Sequence, residues 1–142
     1  MGVLSDDERA EAAQTRGDAG VEDPRVRRAA AALATFPNAY PARDYAITID
    51  APEFTAVCPM TQQPDFGRMV VEYVPSQRCL ELKSFKLYLG SFRDVGIFHE
   101  TVTNLILEDL RRALEPRRIA VTGHYNARGG IVTTVRAEWP DR

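Results

Sequence analysis

The spacing of apolar residues predicts two strands, two helices and two more strands, in that order. Apolar and polar residues alternate at 45–49 and 69–74, and the runs 119–125 and 131–139 flank a glycine-containing connection typical of a hairpin. Helical spacing between these pairs joins Leu82, Phe85, Leu89 and Phe92 in one series and Val102, Leu105, Ile106 and Ala113 in a second. An alanine-rich stretch at 25–36 predicts one more short helix. We therefore expect an α+β domain in which helices pack on one face of an antiparallel sheet.

Charge divides the chain into a tail and a body. Residues 1–24 carry seven acidic side chains against two arginines, so we expect a disordered acidic tail at 1–24 and a single domain at 25–142. The body has 16 basic and 13 acidic side chains, a net charge of +3. That excess suits a phosphorylated small molecule but falls short of the basic surface of a nucleic-acid-binding protein, so we expect no direct contact with nucleic acid.

Other features of the composition predict a cytoplasmic protein that does not associate with a membrane. No apolar run approaches the roughly 20 residues that span a bilayer. The first residues are acidic, whereas an export signal needs a basic start and an apolar centre. The two cysteines, Cys58 and Cys79, have no metal-ligand spacing, and their scarcity favours a reducing compartment over a disulfide scaffold.

The stretch CPMTQQPD places Cys58 between two predicted strands, seven residues before Asp65. A cysteine in such a connection can meet a substrate, and nearby donors can lower the pKa of its thiol so that the nucleophilic thiolate forms. Taken alone, however, such a cysteine is more often a small buried hydrophobe, and Asp65 could simply cap a turn. For Cys79, which directly precedes the first predicted helix, the buried role is the better interpretation.

Two more stretches carry candidate binding groups. Lys83, Lys86 and Arg93 share one edge of the first predicted helix, where they could hold phosphate or form an ordinary solvated basic face. His99 and Glu100 begin the second helix, where an imidazole beside a carboxylate could orient a substrate and move protons, or lie on the surface. Each stretch by itself leaves both alternatives open.

Together, three motifs resemble the signature blocks of one family. CPMTQQPD at 58–65, ELKSFKLY at 81–88 and SFRDVGIFHE at 91–100 are similar to blocks of the NADPH-dependent 7-cyano-7-deazaguanine reductases, in their short single-module form. The resemblance covers roughly residue 40 to the C-terminus. It implies the tunnelling fold shared with GTP cyclohydrolase, with an antiparallel sheet in ββααββ order and two helices on one face. It also implies an NADPH-dependent nitrile reductase of queuosine biosynthesis, which modifies tRNA, and four-electron reduction of 7-cyano-7-deazaguanine (preQ0) to 7-aminomethyl-7-deazaguanine (preQ1), with two NADPH molecules per turnover.

The resemblance assigns roles to individual residues. Cys58 matches the nucleophile that adds to the nitrile carbon and forms a covalent thioimide, and Asp65 matches the acid that protonates the nitrogen. Glu100 matches the carboxylate that recognises the deazapurine, and His99 matches the neighbouring group that positions substrate and assists proton transfer. The segment that lines the base pocket corresponds to Leu80, Glu81 and Leu82. The stretch associated with NADPH corresponds to Lys83, Ser84, Lys86, Tyr88 and Arg93, and no metal is implied.

The resemblance also predicts an assembly. Single-module members of the family resemble two stacked pentamers with active sites between subunits, so we expect a homo-oligomer. One position departs from the family, which commonly has glycine after the threonine of the cysteine motif. This chain has Gln62 there, so the turn between Cys58 and Asp65 could follow a different path.

Two alternatives stay open beside this resemblance. Another tunnelling-fold enzyme, such as a purine or pterin cyclohydrolase, would need zinc ligands at a recognisable spacing, which the cysteines and histidines of this chain lack. A non-catalytic deazapurine-binding module would have no use for Cys58 and Asp65 together. The sequence has no glycine-rich Rossmann fingerprint, so only the resemblance predicts a dinucleotide.

Overall fold

The structure, a computed structural model, describes residues 20–141 together with residues 5, 7 and 8. The predicted disorder of the tail falls mostly outside these described residues. Gly20 is buried and lies so close to Gly96 that a Cβ atom on Gly20 would be 2.6 Å from the carbonyl oxygen of Gly96. Packed structure therefore begins before residue 25, where the sequence predicted the start of the domain.

Three helices and six strands lie wholly within the described residues. In chain order they are α1 (Pro24–Ala31), β1 (Thr35–Pro37), β2 (Ile47–Val57), β3 (Pro64–Val74), β4 (Arg78–Leu80), α2 (Leu82–Gly90), α3 (His99–Leu114), β5 (Arg118–Arg128) and β6 (Ile131–Trp139). The four long strands form an antiparallel sheet in the order β2-β3-β5-β6, and β1 pairs with β4 in a separate short sheet. The predicted ββααββ order is confirmed for the main sheet and its two helices, whereas the short sheet was not predicted.

Alternate residues of the central strands face the helices. Met69 and Val71 of β3 and Val121 of β5 are buried in one cluster with Ile106 and Leu110 of α3. Helix α3 lies against β5 and β6, and α2 lies against β2. Burial of this apolar face contributes about 25 cal/mol per Å² removed from water, and it holds the helices on one side of the sheet.

Two local predictions were wrong. The first helix ends at Ala31 rather than at residue 36, because Thr35–Pro37 forms β1 and pairs with β4. The apolar stripe of α2 is also rotated from the predicted position: Phe85 and Tyr88 are buried, whereas Leu82 is 57% exposed.

A buried ion pair joins α1 to α2 and α3. Arg27 of α1 donates two hydrogen bonds, of 2.9 and 2.6 Å, to the carboxylate of Asp109 in α3. The Tyr88 hydroxyl of α2 donates to the same carboxylate at 2.5 Å. The Asp109 side chain is only 1% exposed, so its charge depends on these partners.

Candidate active site

A tight turn after β2 carries Cys58. The Cys58 N–H donates to the carbonyl of Gln63, and the Gln62 N–H donates to the carbonyl of Cys58, each at 2.9 Å. Gln62 has a φ of 62°, in the left-handed region that glycine adopts most readily. Its side-chain amide donates to the carbonyl of Pro59 at 3.1 Å. Gln62 therefore has a backbone conformation that favours glycine, the residue that the resemblance predicted at this position.

The surroundings of Cys58 favour its thiolate. Burial alone would raise the pKa of the Cys58 thiol, but hydrogen bonds from Thr61, Arg128 and the Met60 backbone outweigh that effect, and the pKa is lowered. The Thr61 hydroxyl also accepts hydrogen bonds from the Gln63 N–H at 3.2 Å and from Arg128 Nη2 at 3.3 Å. Because a hydroxyl has one proton and these donors occupy its lone pairs, that proton is free to point at the sulfur. Cys58 is thus placed to act as a nucleophile.

Asp65 lies beside Cys58 on the neighbouring strand. Strands β2 and β3 pair Val57 with Pro64 and Ala56 with Asp65, so Cys58 and Asp65 lie at the same end of this strand pair, and Arg128 interacts with both side chains. The Asp65 side chain is 5% exposed, with Oδ1 at 2.9 Å from Arg128 Nη1 and Oδ2 at 3.3 Å from His99 Nε2. Within the described residues, Asp65 Oδ1 and His99 Nε2 have no partner with hydrogen-bond geometry. Both atoms are buried and lie within ion-pair distance of a neighbour, so each keeps an unused capacity for a hydrogen bond.

The loop before α3 fixes the position of His99. The Val57 N–H donates to the carbonyl of Val95 at 2.9 Å, and the Ile97 N–H donates to the carbonyl of Val57 at 3.1 Å. These bonds join the loop to the end of β2, directly before the turn that carries Cys58. Helix α3 then begins at His99, and Glu100 lies in its first turn with an exposed carboxylate that forms no hydrogen bond or ion pair within the described residues.

Two residues that contact Asp65 and His99 were not predicted from the sequence: Arg128, which pairs with Asp65, and Tyr125, which stacks on His99. Both lie near the C-terminal end of β5, which pairs with β3 so that Tyr125 is opposite Gly67. The ring of Tyr125 stacks on His99, with centroids 3.7 Å apart and planes 1° from parallel. From the sequence, this stretch was predicted only as the first strand of a hairpin. Its side chains reach Asp65 and His99 because of the register between β3 and β5, which the sequence pattern does not give.

The predicted base-pocket segment lies at the other end of the sheet. The Leu80 N–H donates to the hydroxyl of Tyr73 at 2.9 Å. Tyr73 and Asp65 are eight residues apart on β3, roughly 26 Å at about 3.3 Å per residue. The Glu81 carboxylate is occupied locally, since it accepts the N–H groups of Lys83 at 2.8 Å and Ser84 at 2.7 Å, which lower its pKa. Within one chain this segment does not reach Cys58.

The residues predicted to contact NADPH differ in their accessibility. Lys83 and Lys86 are exposed on α2. Lys86 and Arg93 also border a groove of about 410 Å³ between α2 and β2. The Ser84 hydroxyl donates to the Glu81 carbonyl and accepts the Ala34 N–H, each at 2.9 Å, so it is largely used within the chain.

Tyr88 is fully buried, and its hydroxyl donates to Asp109. It has no surface to offer a cofactor, so we do not include it in the proposed function.

The structure bears on metal binding and membrane insertion as well. Over residues 20–141 and the few described residues of the tail, His, Cys, Asp and Glu side chains form no group of three that could hold a metal ion. In the same part of the chain, no helix is both long and apolar enough to cross a membrane.

Comparison with known proteins decides the family. The family of QueF-like proteins matches residues 64–142. The chain belongs to this family. The family that the three motifs predicted is therefore confirmed, and so is the α+β fold.

Several relatives share a name that states their activity. Proteins named NADPH-dependent 7-cyano-7-deazaguanine reductase from Halorhodospira halophila and Nitrosococcus oceani are each 57% identical to this chain, over 106 and 107 residues. These matches cover 75% of this chain and 90% and 83% of the relatives. A protein of the same name from Chlorobium phaeobacteroides is 50% identical over 110 residues, 95% of its length.

A solved structure supports the same fold. The crystal structure of the archaeosine synthase QueF-Like in the apo form is similar to this chain, with a TM-score of 0.59 and 28% identity. The similarity covers 66% of this chain and 90% of that one.

Proposed function

We propose that this protein is an NADPH-dependent nitrile reductase that converts 7-cyano-7-deazaguanine to 7-aminomethyl-7-deazaguanine in queuosine biosynthesis. The observation that carries the proposal is the cluster of the Cys58, Asp65 and His99 side chains. A thiol with a lowered pKa lies there with a carboxylate and an imidazole that are 3.3 Å apart, and one polar atom of each has no hydrogen bond within the described residues. Relatives more than half identical to the chain carry the name of this activity. Both cysteines are free, which fits the cytoplasmic location we propose.

The chemistry begins with the sulfur. A nitrile is a poor hydride acceptor, so the Cys58 thiolate first attacks the nitrile carbon and forms a C–S bond. The nitrogen receives a proton through Asp65, which passes on the proton that the Cys58 thiol gives up, and the product is a thioimide with a C=N bond. His99 Nε2, 3.3 Å from Asp65 Oδ2, is placed to return a proton to that carboxylate.

Two NADPH molecules, bound in turn, would each supply one hydride to the former nitrile carbon. The C–S bond breaks, the sulfur leaves as the Cys58 thiolate, and the nitrogen takes up one more proton to give the amine. The chain offers exposed cations where such a dinucleotide would need them. Lys83, Lys86 and Arg93 follow α2 and its end, and the last two border the open groove beside β2. We propose that these three side chains hold the NADPH phosphates.

We propose that Glu100 recognises the deazapurine base of the substrate. Its exposed carboxylate, in the first turn of α3, follows His99 directly. A carboxylate can accept paired N–H groups from the guanine-like edge of the substrate, which fixes orientation as well as affinity. We expect Glu100→Leu to weaken substrate binding by at least about tenfold, since it removes charge-assisted hydrogen bonds. Calorimetric titration with the nitrile measures this, with the neighbouring Asn104→Leu as a control, and unchanged affinity would remove Glu100 from this role.

We further propose that the active site lies between two copies of this chain. Leu80, Glu81 and Leu82 are far from Cys58 within one chain, although the resemblance places them all at one substrate. Strands β2 and β6 are the two edges of the described sheet, and each can pair with the same sheet of a neighbour. Repeated around an axis, such pairing closes a ring of subunits. In that ring, residues 80–82 of one subunit would lie near Cys58 of the next. The proposed assembly is two stacked pentamers.

A mixing experiment tests the shared site. Cys58→Ala and Glu81→Gln should each be inactive alone, because each removes one contribution to every site. After unfolding, mixing at equal amounts and refolding, about a quarter of the sites would combine an intact half from each subunit, and activity should return to that extent. Light scattering gives the mass of the assembly in parallel. A monomer in solution, or no recovery in mixed assemblies of the correct mass, would contradict the shared site.

The reductase proposal itself has a direct test. Purified protein should oxidise two NADPH per nitrile converted, with the amine identified by mass spectrometry. Asp65→Asn should lose at least about a hundredfold in kcat, because it removes the proton donor. Normal turnover by Asp65→Asn would refute the assigned role, and the absence of NADPH oxidation by the parent protein would refute the reductase proposal.

A further inference from the structure

The imidazole of His99 rests on the ring of a buried tyrosine. The two ring centroids are 3.7 Å apart, and the planes are within 1° of parallel. Tyr125 is 3% exposed, so its ring is part of the core as well as the support of a residue in the active site. The stack fixes the plane of the imidazole, and with it the direction in which His99 Nε2 points toward Asp65.

Two glycines make room for the tyrosine ring. Gly123 precedes Tyr125 by two residues on β5, and a Cβ atom there would lie 2.7 to 2.8 Å from Cε2, Cζ and Oη of the ring. Gly67 is opposite Tyr125 on β3, and a Cβ atom there would lie 3.1 Å from Cδ1 of the ring. The ring therefore lies flat over two positions without side chains, and His99 covers its other face.

The tyrosine hydroxyl is anchored to the start of the same helix. It lies 2.7 Å from Thr103 Oγ1 and donates to the carbonyl of His99 at 3.2 Å. Thr103 donates to the same carbonyl at 2.8 Å. Burial raises the pKa of Tyr125 far above its usual range, so the hydroxyl keeps its proton and remains a donor. Tyr125 thus contacts both the ring and the backbone of His99.

We propose that Tyr125 is a positioning residue that holds the His99 imidazole at the Asp65 carboxylate. The proposal rests on the proposed function, because it gives the reductase a residue that acts only through His99. The ring provides the flat surface, the glycines at 67 and 123 fix its height, and the hydroxyl fixes its rotation. Removal of the ring lets the imidazole leave the plane in which Nε2 faces Asp65.

A double-mutant cycle separates positioning from a merely structural role. His99→Ala should lower kcat by about a hundredfold, as for loss of a proton-transfer group. Tyr125→Leu should lower kcat at least about tenfold, and Tyr125→Phe, which keeps the ring, no more than about threefold. In the His99→Ala background, Tyr125→Leu should change kcat less than about twofold. An equal loss in both backgrounds, or full activity of Tyr125→Leu, would overturn the proposal.

A spectroscopic measurement tests the same contact without turnover. The chain has two histidines, His99 and His124, so labelled histidine gives two ring signals that can be told apart with His99→Ala. The ring current of Tyr125 should shift the His99 ring protons upfield. Tyr125→Phe should keep that shift, and Tyr125→Leu should abolish it while the His124 signal stays unchanged. Retention of the shift in Tyr125→Leu would overturn the proposal.

Two further variants distinguish loss of the Tyr125–His99 contact from a general loss of the fold. Gly123→Ala adds a Cβ atom that would clash with the Tyr125 ring and displace it. This variant should move the His99 signal and lower kcat at least about threefold. Phe92→Leu also removes a fully buried ring and should lower the Tm without moving the His99 signal. An effect of Phe92→Leu on the His99 signal as large as that of Tyr125→Leu would overturn the proposal. If the parent neither oxidises NADPH nor forms an adduct, the reductase proposal fails, and the histidine spectra still decide whether Tyr125 holds His99.

Discussion

Removal of the Thr61 hydroxyl is expected to raise the pKa of Cys58 and reduce its thiolate. Thr61→Val keeps the shape of the side chain but cannot donate to the sulfur. A hydrogen bond to a charged group contributes about 1.5–3 kcal/mol when shielded. Thr61 is exposed, so we expect about 1 kcal/mol, or roughly fivefold less thiolate at a pH below the titration midpoints of both proteins. The backbone donors of the turn and Arg128 remain, so the pKa should not return to that of a free cysteine.

The assay is the ultraviolet absorbance of the thiolate as a function of pH, taken as the difference from Cys58→Ala to remove the contribution of Cys79. The midpoint for Thr61→Val should lie at higher pH than that of the parent. Thr61→Ser is the matched control, because it restores the hydroxyl and should restore the parental midpoint. Identical midpoints for Thr61→Val and the parent, or an equal shift in Thr61→Ser, would show that the hydroxyl does not stabilise the thiolate.

Two other predictions concern stability, measured by urea unfolding at one fixed protein concentration. Gln62→Gly should leave the free energy of unfolding within about 1 kcal/mol, because relief of the left-handed conformation offsets the loss of the bond to Pro59, whereas Gln62→Val should cost about 1–2 kcal/mol. A larger loss in the glycine variant than in the valine variant would contradict this. Arg27→Met should cost about 3 kcal/mol, since it leaves the buried charge of Asp109 with only the Tyr88 hydroxyl and the distant Arg112 guanidinium, at 3.9 Å, as partners. Adding Asp109→Leu should recover at least half of that loss. A double variant less stable than Arg27→Met would show that the charge itself is needed.

The main sheet and its two helices could be predicted because their apolar spacing is regular. The short sheet could not, because β1 and β4 have three residues each and lie more than 40 positions apart in the chain. The rotation of α2 was a missed signal. Tyr88 follows Phe85 by three positions and precedes Phe92 by four, which is the spacing of a buried stripe, yet the resemblance assigned Tyr88 to NADPH instead.

The candidate site was predictable where it depends on neighbours in the chain. Cys58 and Asp65 flank one turn between adjacent strands, so any hairpin there brings them together. Arg128 and Tyr125 depend instead on the pairing of β5 with β3 and on an irregularity in β5 beyond Tyr125, where the pairing with β6 shifts register. The chain pattern does not encode that irregularity. The position of Glu81 at the far end of the sheet likewise became visible only once strand lengths were known.

The central claim is that Cys58 forms a covalent bond to the nitrile carbon. Intact-protein mass spectrometry after incubation with 7-cyano-7-deazaguanine, without NADPH, measures this most directly. The parent and Cys79→Ala should each gain the mass of one nitrile per chain, and peptide mapping should place it on Cys58, whereas Cys58→Ala should gain none. An adduct of the same mass on Cys58→Ala, or turnover by a parent protein that never carries the adduct, would contradict the mechanism.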